Sequence, residues 1–206
     1  MFRNRFACLA ALVAAAALVT AAPAAATLAG PVAVFWDFHR VYNTSSWLTG
    51  TAQDTGDGSI VTQRTWRAGS GQDRDECDSA TYDGVGGWLP AGWYTLVGHY
   101  DHYDGTKIKG RVWHVEDKRC NGGTGILRTE LFIHSEETSA NGQYCPTSGD
   151  DPFCWEGDFD YYSNGCIKLA HAYPYPSDVA QAHSLWDGYD GHHGDLWLPR
   201  RLYVYS

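Results

Sequence analysis

Short runs of aromatic and β-branched residues, each bounded by Gly, Asn or Asp, recur along the chain at residues 32–38, 59–66, 92–98, 109–116, 126–134 and 201–205. Such runs predict β-strands. In the fifth run Leu127, Leu131 and Ile133 fall mostly on one face, while Glu130, Phe132 and His134 face the other way. One stretch has a helical period instead. Val179, Ala182, His183 and Trp186 share a stripe, Ser177 is placed to cap its start, and Gly188 lies just past its expected end. Residues 51–58 and 141–157 are polar, carry several Gly or Pro, and read as exposed loops. No repeat and no linker divides the pattern. The predicted fold is mainly β, an antiparallel β-sandwich with one or two short helices, forming a single domain over residues 27–206.

Residues 1–26 stand outside this pattern. Arg3 and Arg5 precede an Ala-, Leu- and Val-rich run that closes in Ala22-Pro23-Ala24-Ala25-Ala26. This order of positive charge, apolar run and small residues predicts a secretory signal peptide cleaved after Ala26. A membrane anchor is disfavoured, because the run is short and no basic stop-transfer cluster follows it. Without Arg3 and Arg5 the balance is 13 basic to 24 acidic residues, or −11. An acidic chain with no basic cluster is poorly suited to nucleic acid or to an anionic membrane surface, so neither is an expected partner after signal removal.

Export changes the meaning of the cysteines. Of the six, Cys77, Cys120, Cys145, Cys154 and Cys166 lie beyond the signal, and thiols outside the cytosol tend to pair. An odd number leaves one free or bound to another molecule. Cys145 and Cys154 sit nine residues apart in a polar loop that could close on itself, and Cys77 and Cys120 flank predicted strands and could join across the sheet. That arrangement leaves Cys166 alone, although other pairings of these five remain open.

Cys166 also has the more suggestive surroundings. In Ser163-Asn164-Gly165-Cys166-Ile167-Lys168-Leu169 the glycine permits unusual dihedrals and close backbone approach, so that successive N–H groups can converge beside the sulfur. Ile167 and Leu169 then lead into a packed element. His134, at the end of its strand and pointing away from the aliphatic face, supplies a candidate base.

Ile133-His134-Ser135 followed by Ser163-Asn164-Gly165-Cys166-Ile167-Lys168-Leu169 resembles the signature of the L,D-transpeptidase (YkuD-type) catalytic domain. That signature is a strand-end His followed by a Ser/Thr-His-Gly-Cys-apolar-Arg/Asn run. Trp88-Leu89-Pro90-Ala91-Gly92-Trp93-Tyr94-Thr95-Leu96 is similar to the family's Thr-Pro-x-Gly-x-Tyr segment. Trp66-Arg67-Ala68-Gly69-Ser70-Gly71 is similar to its strand ending in Ser-Gly, and residues 199–205 to its closing strand. The chain departs from the family at Asn164, where His is usual, and at Lys168, where Arg or Asn is common. Its spacing of 32 residues from His134 to Cys166 is also longer than usual, the surplus coinciding with the 145–154 loop.

The resemblance implies a cysteine acyltransferase without cofactor whose partners are peptidoglycan stem peptides. His134 would take the thiol proton of Cys166, and the Ser135 carbonyl would hold the other imidazole nitrogen. The N–H groups of Gly165 and Cys166 would stabilise the oxyanion, and Ser163, Asn164 and Lys168 would contact or shape the substrate site. The same Cys/His pair with water as acceptor would give an L,D-carboxypeptidase or a wall-degrading toxin. A non-catalytic secreted wall-binding or inhibitor domain is the alternative in which every cysteine is structural or paired to another molecule. The expected location is secreted or associated with the cell wall.

Other polar clusters read as bland. His192-His193, and His99 with His102 about Asp101, bring no correctly spaced third ligand in sequence, so no metal is expected. His183 is expected to be packed. Glu136-Glu137 and Asp150-Asp151 are expected to be solvated loop charges. Trp155, Tyr161 and Tyr162 could line a cleft or serve as packing.

Overall fold

A computed structural model of the chain describes residues 30–79, 86–146, 151–171, 177–189 and 201–206. The predicted signal segment and His192-His193 lie outside the described residues.

The fold is mainly β. Nine strands form one sheet in the order β4-β11-β1-β2-β3-β10-β9-β6-β5. They are β1 (Val32–His39), β2 (Ser46–Asp54), β3 (Ile60–Gly69), β4 (Gly92–Tyr94), β5 (Leu96–Asp104), β6 (Lys109–Val115), β9 (Leu131–His134), β10 (Ile167–Leu169) and β11 (Leu202–Tyr205). A separate two-stranded ribbon pairs β7 (Lys118–Arg119) with β8 (Leu127–Arg128) around α1 (Cys120–Gly123), a single tight turn in which Asn121 and Gly122 take positive φ. Helix α2 spans Asp178–Tyr189, and the 3-10 turn η1 spans Asp158–Tyr161.

Pairing is antiparallel except at two joints, where β1 runs parallel to β11 and β9 parallel to β10. The expected antiparallel sandwich is therefore one mixed sheet, bent on itself. β1 and β6 are far apart in strand order, yet Trp36 of β1 meets Trp113 of β6 edge-on at 5.2 Å. Trp186 of α2 stacks on the same indole at 6.5 Å. The core enclosed by this bend takes Val34, Trp36 and Phe38 from β1, Leu131 and Ile133 from β9, Ile167 and Leu169 from β10, and Val179, Ala182 and Leu185 from α2. Burial of these apolar side chains is the main force holding the layers together.

The helical stripe behaves as its period predicts, and the Ser177 hydroxyl accepts the Ala180 N–H at 3.1 Å. Gly188, expected beyond the end, lies inside the last turn. Strand β2 overruns the first half of the expected 51–58 loop and turns only after Asp54. Its Gly50 is there for space: a Cβ would come within 2.6 Å of the Trp36 ring and 2.7 Å of Leu185. The 126–134 run is broken at Glu130, whose φ of 56° bends the chain between β8 and β9 and leaves Leu127 exposed. Among the described residues no helix is long and apolar enough to cross a membrane.

Candidate active site

Two disulfides form, Cys77–Cys120 and Cys145–Cys154, and Cys166 is a free thiol. The pairing preferred from spacing is the one observed, which leaves Cys166 without a partner cysteine within the chain.

Cys166 immediately precedes β10, a short strand held between β3 on one side and β9 on the other. The parallel register with β9 sets Ile167 beside Ile133 and Lys168 beside His134. Because strand side chains alternate, Ile133, Ile167 and Leu169 enter the core while Phe132, His134, Cys166 and Lys168 project from the opposite face. Residues 32 positions apart in sequence thus share one face of adjoining strands.

His134 is almost fully buried, and its Nδ1 lies 2.8 Å from the Ser135 carbonyl oxygen. A carbonyl can only accept, so Nδ1 carries the proton and Nε2 is the basic nitrogen. Burial, aided by the Lys168 charge, pushes His134 down to about 3. Burial pushes the Cys166 thiol up to about 11, against opposing contributions from the Phe132 N–H, Lys168 and Arg128. The thiol points at the carbonyl of Glu130, 3.7 Å away, a residue that itself takes positive φ. At rest the pair is therefore a neutral thiol and a neutral imidazole.

The loop before Cys166 is braced from three sides. The Ser163 hydroxyl accepts the Gly71 N–H at 3.0 Å and the Gly165 N–H at 3.1 Å, and donates to the Cys166 carbonyl at 2.7 Å. Ser70 donates to the Gly165 carbonyl at 3.4 Å and accepts the Leu89 N–H at 3.0 Å. Arg128, buried, donates to the carbonyls of Asn164 at 2.8 Å, Glu76 at 2.6 Å, Trp88 at 3.3 Å and Gly87 at 3.4 Å. The Cys77–Cys120 bridge staples the Glu76 segment to the ribbon that carries Arg128.

Gly165 has φ of 111°, and a Cβ there would lie 2.3 Å from Arg128 Nη2, so both dihedral and space require glycine.

These contacts revise three expectations. The Gly165 N–H is donated to Ser163, so in this geometry it is not free to meet an oxyanion. The Ser163 hydroxyl has one proton and has given it to the Cys166 carbonyl, so it shapes the site as a brace of the loop and has no proton left to donate to a substrate. Glu136 and Glu137 are buried, not solvated: Glu136 pairs with the buried Lys168 ammonium, and Glu137 with Arg111 at 2.6 Å and His171 at 3.4 Å.

A cleft of about 810 Å³ opens where the loop before Cys166 meets β10. Ser163, Asn164 and Lys168 line it next to Cys166, and Phe159 and Tyr162 stack at 6.4 Å on its rim. Asn164 Oδ1 accepts from Gln72 Nε2 at 2.9 Å. Glu156 and Asp160, just past the Cys145–Cys154 staple, complete a wall, so the segment that lengthens the His-to-Cys spacing borders the cleft. Of the aromatics named from sequence, Tyr162 lines the cleft, while Trp155 and the buried Tyr161 pack edge-on at 4.8 Å. Cys166 and His134 are not among its lining residues, and each is 7% exposed.

Sequence reasoning missed Arg128, Ser70 and Glu76 as supports of the nucleophile loop. It also missed that α2 supplies the partners absent near His99. His183 Nε2 sits 2.7 Å from His99 Nε2 and 3.5 Å from Asp101, with Asp187 3.2 Å from His183 Nδ1. His102 turns away to the Ser139 carbonyl at 3.0 Å. The i, i+4 pair His183 and Asp187 on a helix was the signal available in sequence.

Compared with known proteins, the chain matches no family model, no curated protein and no solved structure.

Proposed function

We propose that the protein is an exported cysteine acyltransferase of the L,D-transpeptidase type, acting on peptidoglycan stem peptides. The observation that carries this reading is the free Cys166 thiol on the same sheet face as His134, whose Nδ1–H is committed to the Ser135 carbonyl. That arrangement is a nucleophile, a base and an orienting acceptor.

In the reaction His134 Nε2 takes the Cys166 proton as sulfur attacks the substrate carbonyl carbon. The tetrahedral intermediate collapses, the C–N bond to the terminal D-amino acid breaks, and the imidazolium returns the proton to the leaving amine. The amine of a second stem peptide then attacks the thioester and releases the thiol. With the Gly165 N–H engaged by Ser163, the Cys166 N–H is the donor left to face the oxyanion. The rim carboxylate of Glu156 suits the amino group of an acceptor, and Phe159 with Tyr162 suits the peptide or sugar beside it.

Export is part of the same proposal. It rests on the order of charge, apolar run and small residues in 1–26 and on the two disulfides.

Incubation of the purified, oxidised protein with tetrapeptide muropeptides tests the reading. Cross-linked dimers, lost in Cys166→Ala, are the expected product. Tripeptides alone would convert the assignment to an L,D-carboxypeptidase, and unchanged substrate with no adduct on Cys166 would end it.

A further inference from the structure

The cluster of His99, Asp101, His183 and Asp187 lies away from the proposed acyl-transfer site. His99 is on β5, the edge strand of the sheet, and pairs with Trp113, which in turn pairs with Ile133. Directly opposed residues point to the same side of a sheet, so His99 faces the α2 side with Trp113 and Ile133. Cys166 and His134 project from the other side. The remaining members are Asp101, two residues along β5, and His183 and Asp187, one turn apart on α2.

The ligand atoms of these four residues all lie within 4.8 Å of one another. Their roles differ by geometry. Asp187 Oδ2 sits 3.2 Å from His183 Nδ1, so it accepts that N–H and presents Nε2 outward as a lone pair. Nε2 of His183 then faces Nε2 of His99 at 2.7 Å and Asp101 Oδ1 at 3.5 Å. Two imidazole nitrogens and a carboxylate oxygen converge, with a further carboxylate behind one imidazole. A carboxylate behind a ligating histidine is the arrangement that fixes tautomer and ring direction in zinc sites.

Packing supports the same function. His99 and His183 lie against Trp113 at 5.4 and 5.2 Å, and His99 against Trp186 at 5.3 Å, so neither ring can swing freely. The carboxylates of Asp101 and Asp187, by contrast, have side chains 67% and 53% exposed, which leaves the cluster open to ions from solvent.

We infer that this cluster is a binding site for one divalent transition-metal ion of the zinc type, held by His99 Nε2, His183 Nε2 and Asp101, with Asp187 orienting His183. Nitrogen and oxygen donors of this kind suit zinc and exclude a soft, thiolate-seeking ion. With metal–nitrogen bonds of about 2.0–2.1 Å, tetrahedral ligand atoms stand about 3.3 Å apart, so the two rings need to open by roughly half an ångström. The ion replaces the hydrogen bond between the two Nε2 atoms, and His99 carries its proton on Nδ1 instead. A fourth position is left for water or a further ligand. The ion would tie α2 to the free edge strand of the sheet, a stabilising clip independent of acyl transfer.

The test uses the full oxidised protein, stripped with a chelator and titrated with Zn²⁺ by calorimetry and with Co²⁺ by visible absorption. One equivalent should bind, with the intense visible bands of a tetrahedral Co²⁺ centre and a raised Tm. Asp101→Asn changes an exposed side chain and so keeps the fold; it should weaken binding at least tenfold. Asp187→Asn should weaken it by about 10–100-fold. Cys166→Ala should bind as the parent does, which separates this site from the thiol and from the acyltransferase reading. Failure of the folded protein to bind one equivalent overturns the inference. So does unchanged affinity in both aspartate variants, or loss of binding in Cys166→Ala.

Discussion

Lys168 stands in register beside His134 on the neighbouring parallel strand, and its buried ammonium is paired with the Glu136 carboxylate beneath the cleft. The sheet therefore places a fixed positive charge next to the proposed base. That charge works with burial to keep His134 neutral, and it also favours a thiolate at Cys166. A sulfur anion formed during attack would meet this field, whereas a protonated imidazole at rest is disfavoured by it.

Removing one partner of this pair leaves the other charge buried and alone. Lys168→Met is expected to destabilise the fold by about 3–5 kcal/mol. The double variant Lys168→Met/Glu136→Leu should recover most of that loss, since an apolar pair of similar volume often replaces a buried ion pair at little cost. Urea denaturation of the parent, the two single variants and the double variant checks the coupling. Additive losses would show that the two side chains do not act as a pair.

The high pKa of Cys166 makes its resting chemistry measurable without substrate. With the thiol pushed up to about 11, only a small thiolate fraction exists near neutrality. Iodoacetamide labelling of the native protein should rise about tenfold per pH unit from pH 7 to pH 10, without a plateau. At pH 8 the native thiol should react about a hundredfold more slowly than the same cysteine in urea, from the pKa difference alone. A plateau below pH 8 would instead reveal a thiolate–imidazolium pair at rest.

Arg128 tests whether the loop geometry matters. Its guanidinium fork holds the Asn164 carbonyl and three others at once, which a lysine ammonium cannot reproduce. Arg128→Lys should slow Cys166 acylation by about a hundredfold through misplacement of the loop, while the circular dichroism spectrum stays native. Gly165→Ala should act in the same direction more severely, because it strains φ and drives a methyl into that guanidinium. Acylation at the parental rate in both variants would remove Arg128 from any role in positioning the nucleophile.

Much of this architecture was legible before the fold was seen. The alternation of Leu131, Phe132, Ile133 and His134 is the alternation of core and site faces, and the leftover cysteine is the free one. What escaped did so for identifiable reasons. β2 carries Gly50, Thr51 and Ala52 where large residues would mark a strand, because Trp36 and Leu185 occupy the space above Gly50. β5 looks polar because it is an edge strand, interrupted by irregular pairing and lined with Asp101 and Asp104. The role of Arg128 and the joining of His99 to His183 could not be read because the partners come from segments dozens of residues away, brought close only by the bend of the sheet and the Cys77–Cys120 bridge.

The depressed pKa of His134 has a consequence for stability that runs through acid. Its folded value of about 3 lies below the ordinary value of 6.5, so between these the unfolded chain binds a proton that the folded chain refuses. Stability from this group is fully present above pH 6.5 and is lost as pH falls toward 3, since protonation there pulls the equilibrium to the unfolded state. Denaturation midpoints in urea should fall steadily from pH 7 to pH 4. His134→Gln, which cannot titrate, should show a shallower fall over the same window, even if its midpoint at pH 7 is lower. An equal slope in the two proteins would mean that the folded state protonates His134 as readily as the unfolded chain does, and its retention as a neutral imidazole across this window would have to be abandoned.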